Sequence, residues 1–266
     1  MTRTGILVIG HSRPELLKNT LESLARQQAI DRVNVWLDGH QGRQELIEPV
    51  YQCRSIAAHF APANLVVYNG RVGTEKLMLD ALDALAGRYS RLIVLEDDCF
   101  PTYSAVRTFD EDLDRIENDP SVFSVYGHHF LLPTEGETIA RFQGWGWATT
   151  AAKLRPVLDT ARECFNWPEP RFLRWVEERL TPDVRARLSV TPGRNPIETI
   201  RNFYCWDGCF GVITASLGLL HRKTSRRVVY NCGIGGRGAH FAIEERFLHP
   251  PFNMIPPDDV WRVWED

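Results

Sequence analysis

The sequence predicts an α/β fold whose mostly parallel central sheet is flanked by helices. Short apolar runs rich in Ile and Val occur at residues 5–9, 33–37, 65–68 and 91–95, and such runs are typical of buried parallel strands. Between them, apolar residues recur at helical spacing, as after residue 14 and over residues 74–85. This alternation predicts a doubly wound, Rossmann-like sheet within a single fused domain.

Local signals predict where individual helices begin. Ser12 and Glu15 have the spacing of a capping box, and Pro14 suits a first helical turn. Further along the chain, the small residues at 148–154 predict the opening of another helix. The Arg- and Glu-rich segment 167–202 predicts a helical insertion, because its apolar residues also recur at helical spacing.

The composition is that of an ordinary globular protein and excludes few functions. The 266 residues carry a net charge of −3, which gives no electrostatic footprint for nucleic acid. No apolar run approaches the roughly 18–20 residues needed to cross a bilayer, and no signal-peptide pattern opens the chain. We therefore expect a cytoplasmic protein without a transmembrane segment, whose six cysteines are reduced thiols.

The most informative feature is the fourth apolar run, which ends on three consecutive acids, Glu96, Asp97 and Asp98. Ligands of open α/β sheets bind just outside the carboxyl ends of the strands. Carboxylates crowded at that position repel one another, so we expect a positive group among them. Clustered hard oxygens suit Mg²⁺ or Mn²⁺. The alternative is a solvated loop of acids that caps the next helix.

Polar residues that follow the neighbouring strands are expected at the same edge of the sheet. Arg13 and Arg71 suit phosphate, and Asp38 suits a base or a ribose hydroxyl. No dinucleotide or P-loop glycine motif follows the first strand, which disfavours those two kinds of site. A nucleotide diphosphate held through a metal fits this edge best. Its predicted contacts are His11, Arg13, Asp38, Asn69, Arg71 and Gly73.

With these motifs in order, the sequence resembles the nucleotide-sugar glycosyltransferases of GT-A fold. The nearer resemblance is to bacterial transferases of the family-2-like kind, and a more distant one is to the N-acetylglucosaminyltransferase that initiates complex N-glycans. The shared landmarks cover most of the chain, and their common order is more specific than any one of them. They are Asp38-Gly39, Asn69-Gly70-x-x-Gly73, Leu95-Glu96-Asp97-Asp98-Cys99-x-Pro101, Gly144-Trp145-Gly146-Trp147-Ala148, Trp206-Asp207, and Asn231-x-Gly233-x-Gly235 followed by His240.

The resemblance implies a metal-dependent transfer of a sugar from a nucleotide diphosphate to a hydroxyl acceptor. By motif it implies that Asp98 contacts the metal, that Asp97 touches the ribose and that Glu96 supports the sugar or the site. A His near the glycine-rich segment often supplies a further metal ligand in the family, which implies His240. The alternatives are that Glu96 only pairs with a nearby Arg and that His240 is a hydrogen-bonded structural residue.

In the N-glycan enzyme an acid beside a Trp serves as the base, which implies that role for Asp207. A carboxylate within reach of an acceptor hydroxyl removes its proton during attack, and direct displacement with this one base inverts the anomeric centre. The alternative for Asp207 is a helix N-cap or a surface acid. Arg237 is expected either to pair with the diphosphate or to remain a solvated loop charge.

Two tryptophans, Trp145 and Trp147, alternate with glycines, and we predict that they contact the donor sugar. One ring is expected to line the pocket and the other to be structural, the alternative being that both fill the core. His128 and His129 are expected to line the pocket or to be structural. The proline-rich tail after residue 250 has three open outcomes: it covers the site, covers a neighbouring subunit, or docks on its own core.

These expectations assign residues 1–133 to the nucleotide-sugar donor and residues 134–266 to catalysis and to the acceptor. The acceptor is expected to be a glycan, a glycolipid or a small-molecule hydroxyl compound, with peripheral membrane association left open. Two alternatives remain, a nucleotidyltransferase of the same fold and a non-catalytic sugar- or nucleotide-binding module. The first needs a glycine-rich, basic signature after strand one, which residues 10–14 lack, and fold alone does not decide between the remaining readings.

Overall fold

The computed structural model describes residues 4–131, 136–188, 200–235 and 244–266. The predicted α/β fold with a central, mostly parallel sheet is confirmed, and eight of the strands form one sheet in the order β3-β2-β1-β4-β8-β6-β9-β7. The four parallel strands of its first part are β1 (Thr4–Gly10), β2 (Val33–Leu37), β3 (Asn64–Val67) and β4 (Arg91–Glu96).

Three helices connect these parallel strands and bring all four carboxyl ends to one edge of the sheet. Gly10 pairs in register with Leu37, and Ile9 pairs with Glu96. The polar residues that follow β1, β2 and β4 are therefore neighbours in space. The connecting helices are α1 (Pro14–Arg26), α2 (Gln44–Phe60) and α3 (Thr74–Ala86), and a 3-10 turn, η1 (Ile30–Arg32), precedes β2.

The remainder of the sheet mixes strand directions. β8 (Trp147–Thr150) runs antiparallel between β4 and β6 (Val122–Tyr126), and β9 (Leu220–Lys223) with the short β7 (Thr138–Ile139) completes the sheet. A separate two-stranded ribbon joins β5 (Cys99–Pro101) to β10 (Val229–Asn231). Strands from the first and second halves of the sequence thus belong to one continuous unit.

Further helices cover both faces of the sheet and form much of the second half. They are α4 (Ala105–Ile116), α5 (Ala151–Phe165), α6 (Glu169–Arg179), α7 (Pro182–Leu188), α8 (Trp206–Ser216) and α9 (Glu245–Leu248), with 3-10 helices η2 (Ile200–Phe203) and η3 (Pro257–Arg262). Within the insertion predicted at 167–202, residues 189–199 lie outside the described part. Across the described ranges, no helix is long and apolar enough to cross a membrane.

Alternation along the central strand divides the core into two layers. Successive side chains of a strand point to opposite faces, so Leu7 and Ile9 pack into one apolar cluster while Ile6 and Val8 pack into the other. All four side chains are buried. Burial on both faces explains why β1 is continuously apolar rather than alternating with polar residues.

Two local predictions about helix starts are wrong. The residue before α1 is Arg13, which makes no side-chain cap, while the Ser12 hydroxyl lies 3.3 Å from Nδ1 of His11 rather than capping the helix. Pro14 does occupy the first turn, as predicted. The residues expected to open a helix at 148 instead form β8, because they pair with β4 and β6, and α5 begins only at Ala151.

The C-terminal tail docks on its own core. The indole N–H of Trp261 donates to Oδ1 of Asn19 at 3.2 Å, and that of Trp264 donates to the Ser23 hydroxyl at 3.1 Å. The guanidinium of Arg26 lies 4.3 Å from the ring centre of Trp261, a cation–π contact. The sequence left three outcomes open for the tail. The described tail residues show the third of them, because they dock on the protein's own core by packing against α1.

Candidate functional site

The ends of the parallel strands enclose a cleft of about 280 Å³. It brings together six of the residues that the sequence predicts for donor binding, although they are spread over more than eighty positions of the chain. These lining residues are His11, Arg13, Asp38, Arg71, Glu96 and Asp97. The cleft therefore lies at the edge where α/β sheets bind their ligands.

Asp38 is buried at the end of β2 and accepts hydrogen bonds from the backbone. Its Oδ1 accepts from the N–H groups of Gly39, at 2.8 Å, and Val72, at 2.7 Å, and its Oδ2 accepts from Gly73 at 3.0 Å. The N–H of Gly39 is buried and the other two are part-buried, so all three are held firmly, because leaving such donors unsatisfied is costly. Asp38 thus ties the loop after β3 to the end of β2.

The same loop also supplies Asn69, which approaches the end of β2 through its backbone. A Cβ on Gly39 would lie 2.8 Å from the carbonyl oxygen of Asn69 and 2.7 Å from that of Gly70. Only glycine allows this close approach of two backbones. The Asn69-to-Gly73 motif and the Asp38-Gly39 motif, which the sequence singled out separately, therefore form one interlocked structure.

Arg13 is the positive group among the acids at the end of β4. Its guanidinium donates to both carboxylate oxygens of Asp97, one of them through Nε at 3.3 Å, and its Nη1 donates to Oδ2 of Asp98 at 2.7 Å. The side chain of Arg13 is only 14% exposed. The fork geometry of arginine suits this contact, because one planar group serves two carboxylates.

Burial and crowding perturb the charges of this cluster. Burial raises the pKa of Glu96 well above its ordinary value, and the charge of Asp98 raises it further. Burial also raises the pKa of Asp97, against the opposing charge of Arg13. For Arg13, burial lowers the pKa but the charges of Asp97 and Asp98 outweigh it, so the guanidinium stays charged.

Asp98 lies beneath the glycine-rich segment that follows β10. The N–H of Cys232 donates to the carbonyl oxygen of Asp98 at 2.8 Å, and a Cβ on Gly233 would lie 2.3 Å from its Oδ2. Asn231 holds the turn, because its Oδ1 accepts from the N–H of Gly233 at 2.9 Å. Within the described residues, this segment covers Asp98 closely, so a side chain at position 233 would displace the Asp98 carboxylate.

The donor set at the end of β4 fits a divalent cation in its chemistry. Two carboxylates, those of Asp97 and Asp98, pair with the single guanidinium of Arg13, so negative charge remains to be compensated, and carboxylate oxygens are ligands that Mg²⁺ and Mn²⁺ prefer. Over the part of the chain that the structure describes, no three His, Cys, Asp or Glu side chains are arranged to hold a metal ion. His240, the other predicted ligand, and Arg237 lie outside the described residues.

Asp207 occupies the first turn of α8 and is exposed. The N-cap of this helix is Cys205, so the N-cap alternative for Asp207 is wrong. The pKa of Glu96 is raised by burial and by the charge of Asp98, and it is lowered by the charge of Arg13. The charge of Asp207 raises it further. Asp207 is therefore an exposed acid whose charge acts on Glu96, at the end of β4.

The two tryptophans of the glycine-flanked motif have different surroundings. Trp147 is completely buried and stacks against Phe123 and Trp206 at centroid distances of 6.2 and 6.3 Å. Trp145 is only partly buried and stacks on Phe130, with the ring centres 5.2 Å apart. Trp147 is thus the structural ring of the pair, and Trp145 is the ring that remains partly accessible.

His128 and His129 are held inside the fold. Nδ1 of His128 accepts from the N–H of Asn231 at 3.2 Å, so its Nε2 carries the proton and donates to the carbonyl of Phe252 at 2.8 Å. Burial lowers the pKa of His128 well below its ordinary value and that of His129 to about 4. His128 therefore connects β10 to the tail as a neutral structural residue, a role that the sequence left open.

The pairing of Arg13 with the acids is the feature that the sequence did not predict. Arg13 was assigned to phosphate and the acids mainly to a metal. Pairing with an arginine was left open only for Glu96, whereas the structure pairs Arg13 with Asp97 and Asp98. The available signal was that opposite charges follow β1 and β4. These are neighbouring strands in the observed sheet.

No protein-family model matches the chain, and no curated protein is significantly similar to it. Among solved structures, mouse xyloside xylosyltransferase 1 is 10% identical, with 95% of this chain and 94% of that chain covered and a TM-score of 0.47. A mannosyltransferase from Pyrobaculum calidifontis, solved with GDP-Man and Mn²⁺, is 12% identical, with 81% and 73% covered and a TM-score of 0.42.

A cytidylyltransferase from Leptospira borgpetersenii is 14% identical, with 59% of this chain covered and a TM-score of 0.40. The chain spans 64% of the length of that protein. The first two proteins are glycosyltransferases, the class that the sequence resembles, and the third belongs to the class of the same-fold alternative. At these identities and TM-scores, the similarities carry no argument about activity.

Proposed function

We propose that the protein is a glycosyltransferase that moves a sugar from a nucleotide diphosphate sugar to a hydroxyl acceptor. The observation that carries this proposal is the cleft in which Arg13 and Arg71 meet Glu96 and Asp97 at the carboxyl ends of parallel strands. Two arginines suit a diphosphate, and the excess of acids suits a cation beside it. Residues 1–133 would then bind the donor and residues 134–266 the acceptor.

The donor-side residues divide into those that face the ligand and those that hold the walls. Arg13, Arg71 and His11 line the cleft and are assigned to the phosphates and the ribose. Asp38 is assigned to the wall, because its carboxylate accepts three backbone hydrogen bonds. Arg237 and Trp145 stay predicted donor contacts.

The chemistry of the acids assigns Asp98, with Asp97 beside it, to a divalent cation, either Mn²⁺ or Mg²⁺, and His240 stays a predicted further ligand. When bound, such an ion neutralises the nucleoside diphosphate as it leaves. Arg13 already contacts Asp98 at 2.7 Å. We therefore assign to Arg13 the task of neutralising these acids while the cleft holds no cation.

Asp207 is assigned as the base. In the proposed step, the acceptor oxygen forms a bond to the anomeric carbon while its proton passes to the Asp207 carboxylate. The bond between the anomeric carbon and the phosphate oxygen breaks, and the nucleoside diphosphate leaves with the electron pair. Attack from the side opposite the leaving group inverts the anomeric centre.

A thermal-shift screen tests the donor assignment. Each common nucleoside diphosphate and nucleotide sugar is added to the full chain with and without Mn²⁺, and binding to the folded state raises the melting temperature. We expect stabilisation by one nucleotide family, and more of it with Mn²⁺. Preferential stabilisation by nucleoside triphosphates would favour the nucleotidyltransferase instead, and the absence of any shift would contradict the proposal.

Asp98→Asn separates metal-assisted transfer from simple binding. We expect transfer, measured as nucleoside diphosphate release from the donor identified above, to fall by about a hundredfold or more, since the cation supplies several kcal/mol. The manganese-dependent part of the thermal shift should disappear as well. Asp159→Asn, an exposed acid on α5, is the matched control and should leave both quantities unchanged.

Asp207→Asn tests the base. We expect the nucleotide-induced thermal shift to persist while transfer falls by about a hundredfold or more, in line with the loss of a general base. Transfer by the Asp207→Asn variant at the wild-type rate would remove Asp207 from the mechanism. Product stereochemistry, read by NMR of the anomeric proton, decides independently whether the reaction inverts.

A further inference from the structure

A second cavity, of about 400 Å³, lies beside the donor cleft at the same edge of the sheet. Its walls come from the first turns of α3, the end of α5 and the residues just before α8. Its volume is within the roughly 300–1,000 Å³ range of small-molecule sites. The side chains that matter below are Val72, Glu75, Asp80, Phe165, Asn166 and Tyr204.

Two pieces of chain connect this cavity to the donor cleft. Val72 lines the cavity, while its backbone N–H donates to Asp38 at the wall of the cleft. On the other side, Tyr204 lines the cavity three residues before Asp207, which lies in the first turn of α8. A ligand in the cavity is therefore next to the segment that carries the proposed base.

The electrostatics of Cys205 support this neighbourhood. Burial raises the pKa of its thiol, and the charge of Asp207 raises it further, with a smaller contribution from Glu75. Asp207 and Glu75 therefore act on the same side chain, although one belongs to α8 and the other to α3. Glu75 lines the cavity, and so does Tyr204, which directly precedes Cys205 in the chain.

The lining combines aromatic surface with hydrogen-bonding groups. The rings of Phe165 and Tyr204 are half-buried, with centres 5.8 Å apart and planes tilted by 38°. Asp80 is held at the wall by Lys76, whose ammonium donates to it at 2.7 Å, and Asn166 is exposed at the rim. A sugar ring offers apolar C–H faces to aromatic rings and hydroxyls to carboxylate and amide groups.

We propose that this cavity is the acceptor subsite and that it binds a saccharide. The inference rests on the proposed function, because its place beside Asp207 has meaning only if Asp207 is the base. The saccharide packs on Phe165 and Tyr204, and its hydroxyls contact Asp80 and Asn166. This assigns acceptor recognition to the end of α5 and to Tyr204, within residues 134–266, and adds α3 from the first half of the chain.

Binding of simple saccharides tests the subsite directly. A panel of methyl glycosides of hexoses, pentoses and N-acetylhexosamines is screened by saturation-transfer NMR, with and without the nucleoside diphosphate that gives the largest thermal shift. We expect one class of glycoside to bind the wild-type chain. Its affinity should fall on the order of tenfold in Tyr204→Ala, which removes an aromatic contact.

Two further variants keep the test decisive. Tyr51→Ala removes a tyrosine remote from the cavity, on α2 and 50% exposed, and should bind the glycoside as the wild type does. Because Tyr204 also packs on Phe172, at 5.0 Å between centres, Asn166→Ala serves if Tyr204→Ala does not fold. It should weaken binding at least threefold, since it removes one hydrogen bond to the glycoside.

The outcomes separate this inference from the proposed function. Failure of every glycoside to bind, or equal binding by wild type, Tyr204→Ala and Asn166→Ala, overturns the subsite. If nucleotides still shift the melting temperature, the transferase proposal survives that result. If glycosides bind through Tyr204 but no nucleotide binds, the subsite stands as a saccharide site and the donor assignment fails.

Discussion

Buried carboxylates lie at the ends of two parallel strands of the same sheet, β2 and β4, and they are neutralised in different ways. Asp38, after β2, accepts three hydrogen bonds from backbone N–H groups. Asp97 and Asp98, after β4, are paired with a side chain, the guanidinium of Arg13. Backbone donors belong to the fold itself, whereas a side chain can rotate away and be replaced by a ligand.

This difference separates a structural acid from acids that are available for chemistry. Displacing the partners of Asp38 would require backbone N–H groups to move, so its carboxylate is committed to the wall of the cleft. Displacing Arg13 only requires another cation or a ligand that takes the arginine itself. A carboxylate at the end of a strand can therefore be structural or available for chemistry. Its role depends on whether backbone N–H groups or a side chain pair with it.

The largest effect on stability is expected for Arg13→Gln, which removes the replaceable partner. Breaking a buried ion pair by removing one member leaves uncompensated charge, and we expect the free energy of unfolding to fall by about 3–5 kcal/mol. The measurement is urea unfolding in EDTA. Added Mn²⁺ should restore more stability to this variant than it adds to the wild type, because the cation takes the place of the guanidinium.

Arg32→Gln is the matched control. Arg32 also pairs with a carboxylate, that of Asp110 at 3.0 Å, but both side chains are about one-third exposed, and such pairs contribute about 0–1 kcal/mol. Equal losses in the two variants, or no differential effect of Mn²⁺, would show that the acids after β4 do not depend on a replaceable cation.

Asp38→Ala is expected to lower the free energy of unfolding by about 3 kcal/mol, because it leaves the buried N–H of Gly39 and the part-buried N–H groups of Val72 and Gly73 without an acceptor. Urea unfolding measures the change, and Mn²⁺ should not reverse it. Asp159→Ala, at an exposed position, should change stability by less than about 0.5 kcal/mol. Rescue of Asp38→Ala by Mn²⁺ would place Asp38 among the replaceable acids and contradict the comparison.

The smallest effect near neutral pH, and a purely structural one, is expected for His221, whose contribution appears only as the stability changes with falling pH. Burial lowers its pKa from 6.5 to about 3, and its nitrogens lie 2.8 Å from the Ser124 hydroxyl and 3.2 Å from that of Thr214. As the pH falls below 6.5, the unfolded chain binds a proton that the folded chain excludes, so stability falls. The contribution is about 1.4 kcal/mol per pH unit.

His221→Gln removes this titration. The variant should lose stability less steeply than the wild type on acidification, as measured by urea unfolding at a series of pH values below 6.5. His128 and His129 remain in both proteins, so the difference between the two slopes reports on His221 alone. Nucleotide-induced thermal shifts should be the same in both, and a change in them would mean that this residue is not confined to the core.

Much of the candidate site could be predicted because it depends on short stretches of sequence. The position of Glu96, Asp97 and Asp98 at a strand end follows from the apolar run before them, and the prediction that a positive group lies among them was correct. The identity of that group was not predictable, since Arg13 is 84 residues from Asp97 and 85 from Asp98. Its proximity depends on which strands become neighbours.

Similar reasons explain the errors in the second half of the chain. Residues 148–150 are small and compatible with a helix, but pairing with β4 and β6 makes them a strand. The motif containing Trp145 and Trp147 is one pattern in sequence, yet the two rings have different neighbours and one of them is buried completely. Such choices depend on neighbours that are distant in sequence.

The sequence by itself determined the alternation of strands and helices and the placement of acids and arginines at strand ends. Apolar periodicity and chain breaks are local properties, so these features could be read from the order of residues. Only the tertiary structure decided which acid is held by backbone and which by a side chain. Hydrogen bonds and ion pairs act over a few ångströms, and the folded sheet alone determines which groups come that close.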